Sequence, residues 1–248
     1  MSNQAIKSYL EKNGFEALCP KAVLFDMDGV LYNSMPNHAK AWVSAMQDFH
    51  IHMTELDAYL TEGQKGTDTI IQMVQKQQGR TITYEQAQMM YDRKAEIFAT
   101  LPEAPIMPGI LQLMQQIQQA GWIIGIVTGS GQRPLIQRIQ KDFTAFVQKE
   151  HIVTAYDVKQ GKPKPEPYLM GMKKCGVKPW QTIVVENAPL GVQAGVAAQA
   201  FTIGVNTGIL TEEDLSQAGA HLTFDSMQHL ADDFPFLVKN ILKSCCHQ

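Results

Sequence analysis

Apolar and polar positions along the chain follow two rhythms. Short unbroken apolar runs occur at Ala22–Phe25, Trp122–Val127, Ile152–Val153, Thr182–Val185 and Phe201–Val205, with a weaker one at His221–Phe224. Runs of this length without helical period predict strands buried on both faces of a parallel sheet. Between them, apolar residues recur at helical spacing in residues 4–17, in Ile110–Ala120, from about Arg133, in Pro167–Cys175, in Leu190–Ala198 and near the C-terminus. Strands separated by helices predict an α/β fold, a doubly wound parallel sheet with helices on both faces.

One stretch departs from that alternation. After a loop at Asn33–Pro36, the pattern is helical over His38–Phe49, Glu55–Thr61, Asp68–Gln78 and Tyr84–Ala99, and contains no credible strand. In the last of these, Ala87, Met90, Tyr91, Ala95 and Phe98 repeat near the helical period. Gly63, Gly66 and Gly79 punctuate the segments. Residues 34–100 are therefore expected to form an inserted α-helical cap on a core made of residues 1–33 and 101–248. Leu101–Pro108, with Pro102, Pro105 and Pro108, reads as the return linker.

Composition narrows the function classes. The 248 residues are 45% hydrophobic, enough for a sizeable core. A net charge of −3 with interspersed signs leaves no basic stripe for nucleic acid and no polybasic helix for a membrane. No apolar run approaches the ~20 residues that span a bilayer. The N-terminus carries Lys7, Glu11, Lys12 and Glu16 and does not read as a signal peptide. Cys19, Cys175, Cys245 and Cys246 show no metal-ligand spacing, so a reduced, cytoplasmic protein is expected, as a monomer or weak dimer.

Candidate chemistry sits at the ends of four strands. The first strand stops at Asp26, Met27, Asp28, Gly29. Two carboxylates at a buried strand end need a compensating cation, and together they suit a nucleophile, a proton-transfer group and a divalent metal. Thr128-Gly129-Ser130-Gly131 can hold an anion at a helix start, or simply cap that helix through Ser130. In Gly161-Lys162-Pro163-Lys164-Pro165-Glu166-Pro167 the prolines describe a stiff linker, or a rigid seat that fixes the Lys162 ammonium beside the carboxylates. Glu186-Asn187 supplies oxygens suited to Mg2+, or an Asn helix cap before Pro189. In a doubly wound sheet all four strand ends converge on one crevice.

Taken as a set, these motifs resemble the haloacid dehalogenase-like hydrolase superfamily, and within it the beta-phosphoglucomutase-like branch, over about residues 20–225. The resemblance implies Asp26 as the nucleophile that becomes an aspartyl phosphate and Asp28 as general acid/base. It implies Thr128, Gly129 and Ser130 as the phosphoryl-binding loop and Lys162 as the charge-screening ammonium. Mg2+ would be held by Asp26, the Asp28 carbonyl, Glu186 and Asn187. His38 and Trp42 match the branch at the cap hinge. The substrate implied is a small phosphorylated metabolite.

Two departures bear on the substrate. Mutases of this branch carry an Asp where this chain has Asn187, and the lost charge favours a more anionic phosphate such as pyrophosphate. The basic cap residues that hold a distal phosphate in mutases are replaced by Glu62-Gly63-Gln64-Lys65-Gly66. Lys65 is the remaining cation there, and Glu62 is a candidate metal or water ligand. Hydrolysis is therefore preferred to the mutase alternative. A phosphoacceptor signalling domain shares the acidic strand ends and the Lys, but such domains are about half this length and lack a cap.

Overall fold

The computed structural model describes residues 2–131 and 133–245. Helix α1 (Ser2–Asn13) stops at Gly14, whose φ of 68° is a left-handed C-terminal cap. That is earlier than the apolar pattern alone predicts. Strand β1 (Ala22–Phe25) follows, then four helices: α2 (Met35–Asp48), α3 (Glu55–Leu60), α4 (Gly66–Gln78) and α5 (Tyr84–Thr100). The chain then alternates through α6 (Ile110–Gln119), β2 (Ile123–Val127), α7 (Arg133–Asp142), β3 (Ile152–Val153), α8 (Glu166–Cys175) and β4 (Thr182–Glu186). It closes with α9 (Pro189–Ala197), β5 (Phe201–Val205), α10 (Glu212–Gln217), β6 (Leu222–Phe224) and α11 (Met227–Cys245). The helix α10 has no counterpart in the sequence reading. Its six residues are too few to show a period, and a Thr211/Asp214 capping box starts it.

The six strands form one parallel sheet in the order β3-β2-β1-β4-β5-β6. The order reverses at β1, so the crevice beyond its carboxyl end is the switch point of the sheet. Successive β1 side chains alternate between faces. Val23 and Phe25 join a core with residues of α1, α6, α7 and α11, whereas Ala22 and Leu24 join one with residues of α8 and α9. The cap has its own core, in which Trp42, Met46, Tyr59, Ile70, Met73 and Met90 are buried together.

Two chain crossings join cap and core, and they are bonded to each other. Tyr32 and Ile106 form an antiparallel bridge. The Asn33 amide donates to the Pro105 carbonyl at 2.9 Å, and the Met107 amide to the Leu31 carbonyl at 2.8 Å.

The cysteine expectation needs correction. Cys19 is disulfide-bonded, while Cys175 is a free, buried thiol. Separation along the chain says little about proximity in space, which is why spacing missed it. Cys246 lies outside the described residues. Among the described residues no helix is long and apolar enough to cross a membrane.

Leu24 is fully buried beside Gly125 and Gly171. Leu24→Ala should cost about 2–5 kcal/mol in urea unfolding, the range for a core Leu whose site cannot collapse. A loss below about 1 kcal/mol would show that β1 is not a packed central strand.

Candidate active site

Sheet register builds the site. Phe25 pairs with Ile126 of β2 and with Val185 of β4. One step further, Asp26 stands beside Val127 and Glu186, and its amide donates to the Val185 carbonyl at 3.1 Å. Gly29 has a φ of 82°, and a Cβ there would lie 2.1 Å from Asn187 Nδ2. Only glycine lets the chain turn away this close to β4.

Lys162 arrives from the turn before α8. Its buried Nζ donates to Asp26 Oδ1, contacts Glu186 Oε1 at 2.7 Å and lies 3.3 Å from the Val127 carbonyl. The Tyr168 hydroxyl of α8 also donates to Glu186 Oε1, and Glu186 Oε2 accepts from the Asn187 amide at 3.2 Å. The Thr128 hydroxyl accepts from the Ser130 amide at 3.0 Å, which curls the loop after β2. Lys164, in contrast, is exposed.

The cap completes the other side. Asp28 Oδ1 accepts from Ser34 Oγ at 2.6 Å and from His38 Nε2 at 3.0 Å. The ring's Nδ1 faces the Lys94 ammonium of α5 at 2.7 Å. Lys94 donates there, which leaves Nε2 as the donor toward Asp28. Asp26, Asp28, His38, Glu62, Lys94, Gly129 and Ser130 together line a cavity of about 50 Å3. Lys65 is turned elsewhere: its Nζ donates to the Lys159 carbonyl of the core at 2.6 Å.

Sequence reading missed three of these groups. Lys94 interrupts the apolar stripe of α5 between Met90 and Phe98, and a lysine on a buried stripe was the available signal. Tyr168 follows the Lys-Pro motif by a few residues, and Ser34 sits in the hinge loop; neither carries a pattern of its own.

A family profile described as "Hydrolase: haloacid dehalogenase-like hydrolase" matches residues 20–199. The chain belongs to the haloacid dehalogenase-like hydrolases. It is 33% identical over 200 residues to hexitol phosphatase A of Escherichia coli, covering 79% of this chain and 89% of that protein. Validoxylamine A 7'-phosphate phosphatase of Streptomyces hygroscopicus subsp. limoneus is 29% identical, over 75% of this chain and 86% of its own length. Among solved structures, a candidate beta-phosphoglucomutase from Bacteroides vulgatus is 44% identical with a TM-score of 0.93, covering 97% of this chain and 98% of that one.

In this haloacid dehalogenase-like enzyme, charge is unevenly shared. Burial pushes the Asp26 carboxyl well above its ordinary range; Lys162 opposes this, and Glu186 and Asp28 add to it. Burial also acts to raise Asp28, but His38, Ser34 and Lys94 outweigh it and hold that carboxyl low. Burial raises Glu62 too, with Asp28 adding and His38 and Lys94 opposing.

Three carboxylates against one ammonium leave the core site at −2 when all are ionised. Asn187 Oδ1 is buried without a hydrogen-bond partner. An all-oxygen donor set, excess negative charge and an orphaned carbonyl oxygen fit a hard divalent cation. Among the described residues no cluster of three or more His, Cys, Asp or Glu is poised as a complete metal cage. Mg2+ needs none, because it keeps waters and takes substrate phosphate oxygens.

Burial lowers Lys94 to about 8 from an ordinary 10.5, against the raising influence of Glu62 and Asp28. Between those values the unfolded lysine holds a proton that the folded one has released, so stability rises with pH through that window. Relative to Lys94→Met, the wild type should gain roughly 3 kcal/mol between about pH 7 and pH 11. A pH-independent difference in denaturant midpoints would refute the burial of this ammonium.

Proposed function

We propose that the chain is a magnesium-dependent phosphohydrolase that works through an aspartyl phosphate on a small sugar or polyol phosphate. The observation that carries this reading is the pair of aspartates in opposite settings. Asp26 lies on an ammonium in the core, and Asp28 lies on a His–Lys relay from the cap. The named activities of two relatives, hexitol phosphatase A and validoxylamine A 7'-phosphate phosphatase, support a phosphorylated sugar-like substrate.

Lys162 occupies Oδ1 of Asp26 and leaves Oδ2 to attack phosphorus. The bond from phosphorus to the leaving oxygen breaks, and that oxygen takes a proton through Asp28, which rests ionised and is resupplied from the Lys94 ammonium along the His38 ring. Thr128 and the amides after it bind the phosphoryl oxygens, and the Lys162 ammonium stabilises charge as it develops. Water then attacks the aspartyl phosphate while Asp28 takes its proton, which restores Asp26 and releases phosphate. His38 holds Asp28 in place for both transfers. Bound Mg2+, held by Asp26, the Asp28 carbonyl, Asn187 and Glu186, would supply further electrostatic stabilisation of the phosphoryl group. Glu62 lines the same cavity, which supports a role in orienting the attacking water.

The mutase alternative keeps its weight through the 44% identity to the Bacteroides vulgatus protein. The two part on the acceptor: water in one case, a sugar hydroxyl in the other.

Phosphate release from sugar monophosphates should occur with Mg2+ and no bisphosphate activator, and Asp26→Asn should abolish it by more than about 1,000-fold. Interconversion of glucose phosphates without phosphate release would instead establish the mutase. Glu62→Ala should lower kcat about tenfold or more while KM changes less; a pure KM effect would confine Glu62 to binding.

A further inference from the structure

One hydroxyl stands in an apolar cluster beneath the site. Tyr168, in the first turn of α8, is fully buried and packs with Leu24, Val127, Met172, Val184 and Ala194. Phenylalanine would serve that packing as well, and a buried phenol oxygen needs a partner to offset its lost hydration. The partner is the carboxylate of Glu186.

Two donors from one short segment reach the same oxygen. The Lys162 ammonium lies 2.7 Å from Glu186 Oε1 and 5.2 Å from the centroid of the Tyr168 ring, and the Tyr168 hydroxyl donates to Oε1 as well. Glu166 holds that segment in shape, accepting from the Lys159 amide at 2.9 Å and the Gln160 amide at 2.8 Å. Helix α9 packs directly on the carboxylate: a Cβ on Gly191 would stand 2.0 Å from Glu186 Oε1.

A carboxylate offers about four acceptor positions, shared equally by its two oxygens. Among the described residues, Lys162 and Tyr168 fill those of Oε1, and the Asn187 amide takes one on Oε2 at 3.2 Å. What remains lies on Oε2. Without the phenol, Oε1 would also have a position to offer, and the carboxylate would no longer be committed to one orientation. Partners that hold a metal ligand in a single orientation raise its affinity for the ion. The neutral side chain of Asn187 makes this matter more, because Glu186 is then the charged ligand that the end of β4 brings to the cation.

We propose that Tyr168 is a positioning residue for the divalent cation: its hydroxyl occupies Oε1 of Glu186 and leaves Oε2 as the oxygen that faces the metal. The inference rests on the magnesium-dependent reading of the site.

The test uses the full chain, stripped of divalent ions by a chelator, with Mg2+ itself as the probe. Isothermal titration and the Mg2+-dependent shift in melting temperature should both show Tyr168→Phe binding Mg2+ about tenfold or more weakly than the wild type. Phenylalanine keeps the ring and its packing, and the metal-free melting temperature checks that the variant is folded. Tyr168→Met, a second variant without the hydroxyl, should weaken Mg2+ binding at least as much. In phosphate release from a sugar monophosphate, the Mg2+ concentration for half-maximal rate should rise by the same factor, while kcat at saturating Mg2+ falls less. Mg2+ affinity within about twofold of the wild type in either folded variant overturns the inference, and a lower metal-free melting temperature with that affinity assigns Tyr168 to packing alone. No Mg2+ binding by the wild type in either measurement overturns the magnesium reading and the inference together. Mg2+ binding without phosphate release from any sugar monophosphate overturns the phosphohydrolase reading alone.

Discussion

A single buried ammonium organises this molecule's chemistry. Lys162 Nζ sits between Asp26 and Glu186, all three nearly solvent-free. Such a cluster is costly to assemble, since each ion gives up its hydration and is repaid only by good geometry. The Tyr168 hydroxyl and the Asn187 amide satisfy further lone pairs of Glu186. Even so, negative charge exceeds positive, and Asn187 Oδ1 lacks a partner.

The architecture was legible because the physical signal was local. Buried parallel strands read as apolar runs, and their polar ends fall where register must bring them together. Ala22–Phe25 and Thr182–Val185 read as strands that end in acids, and the observed register then sets Asp26 beside Glu186. The cap helices were legible from their period and their glycine breaks. What escaped notice depended on distant contacts. Lys94 is far from His38 in the chain and meets it only because α2 and α5 pack against each other in one cap core. Lys65 looked like a substitute phosphate ligand, yet a core carbonyl within reach claims its ammonium. The Cys19 bond was hidden for the same reason. No window of sequence reports which remote side chain will arrive.

The two aspartates show how one strand end can hold two carboxyl groups in opposite environments. They are separated by one residue, but their environments diverge. Asp26 belongs to the sheet and is pushed toward its protonated form by burial, with neighbouring acids adding to that. Asp28 is held ionised by hydrogen bonds from cap residues. The separation runs against a resting protonated acid at Asp28, so a proton delivered there has to come through His38 from Lys94. The cap therefore supplies part of the electrostatic environment of Asp28.

The paired crossings near Tyr32 and Ile106 carry a mechanical implication. Two strands of backbone bonded to each other resist shear and twist much more than two independent tethers would. The cap is left with essentially one soft coordinate, a bend of that ribbon. Ser34 and His38 lie just beyond it, so any swing that uncovers the crevice must also withdraw the donors from Asp28. Under the proposed function, opening for product release and withdrawing the donors from Asp28 would be one movement.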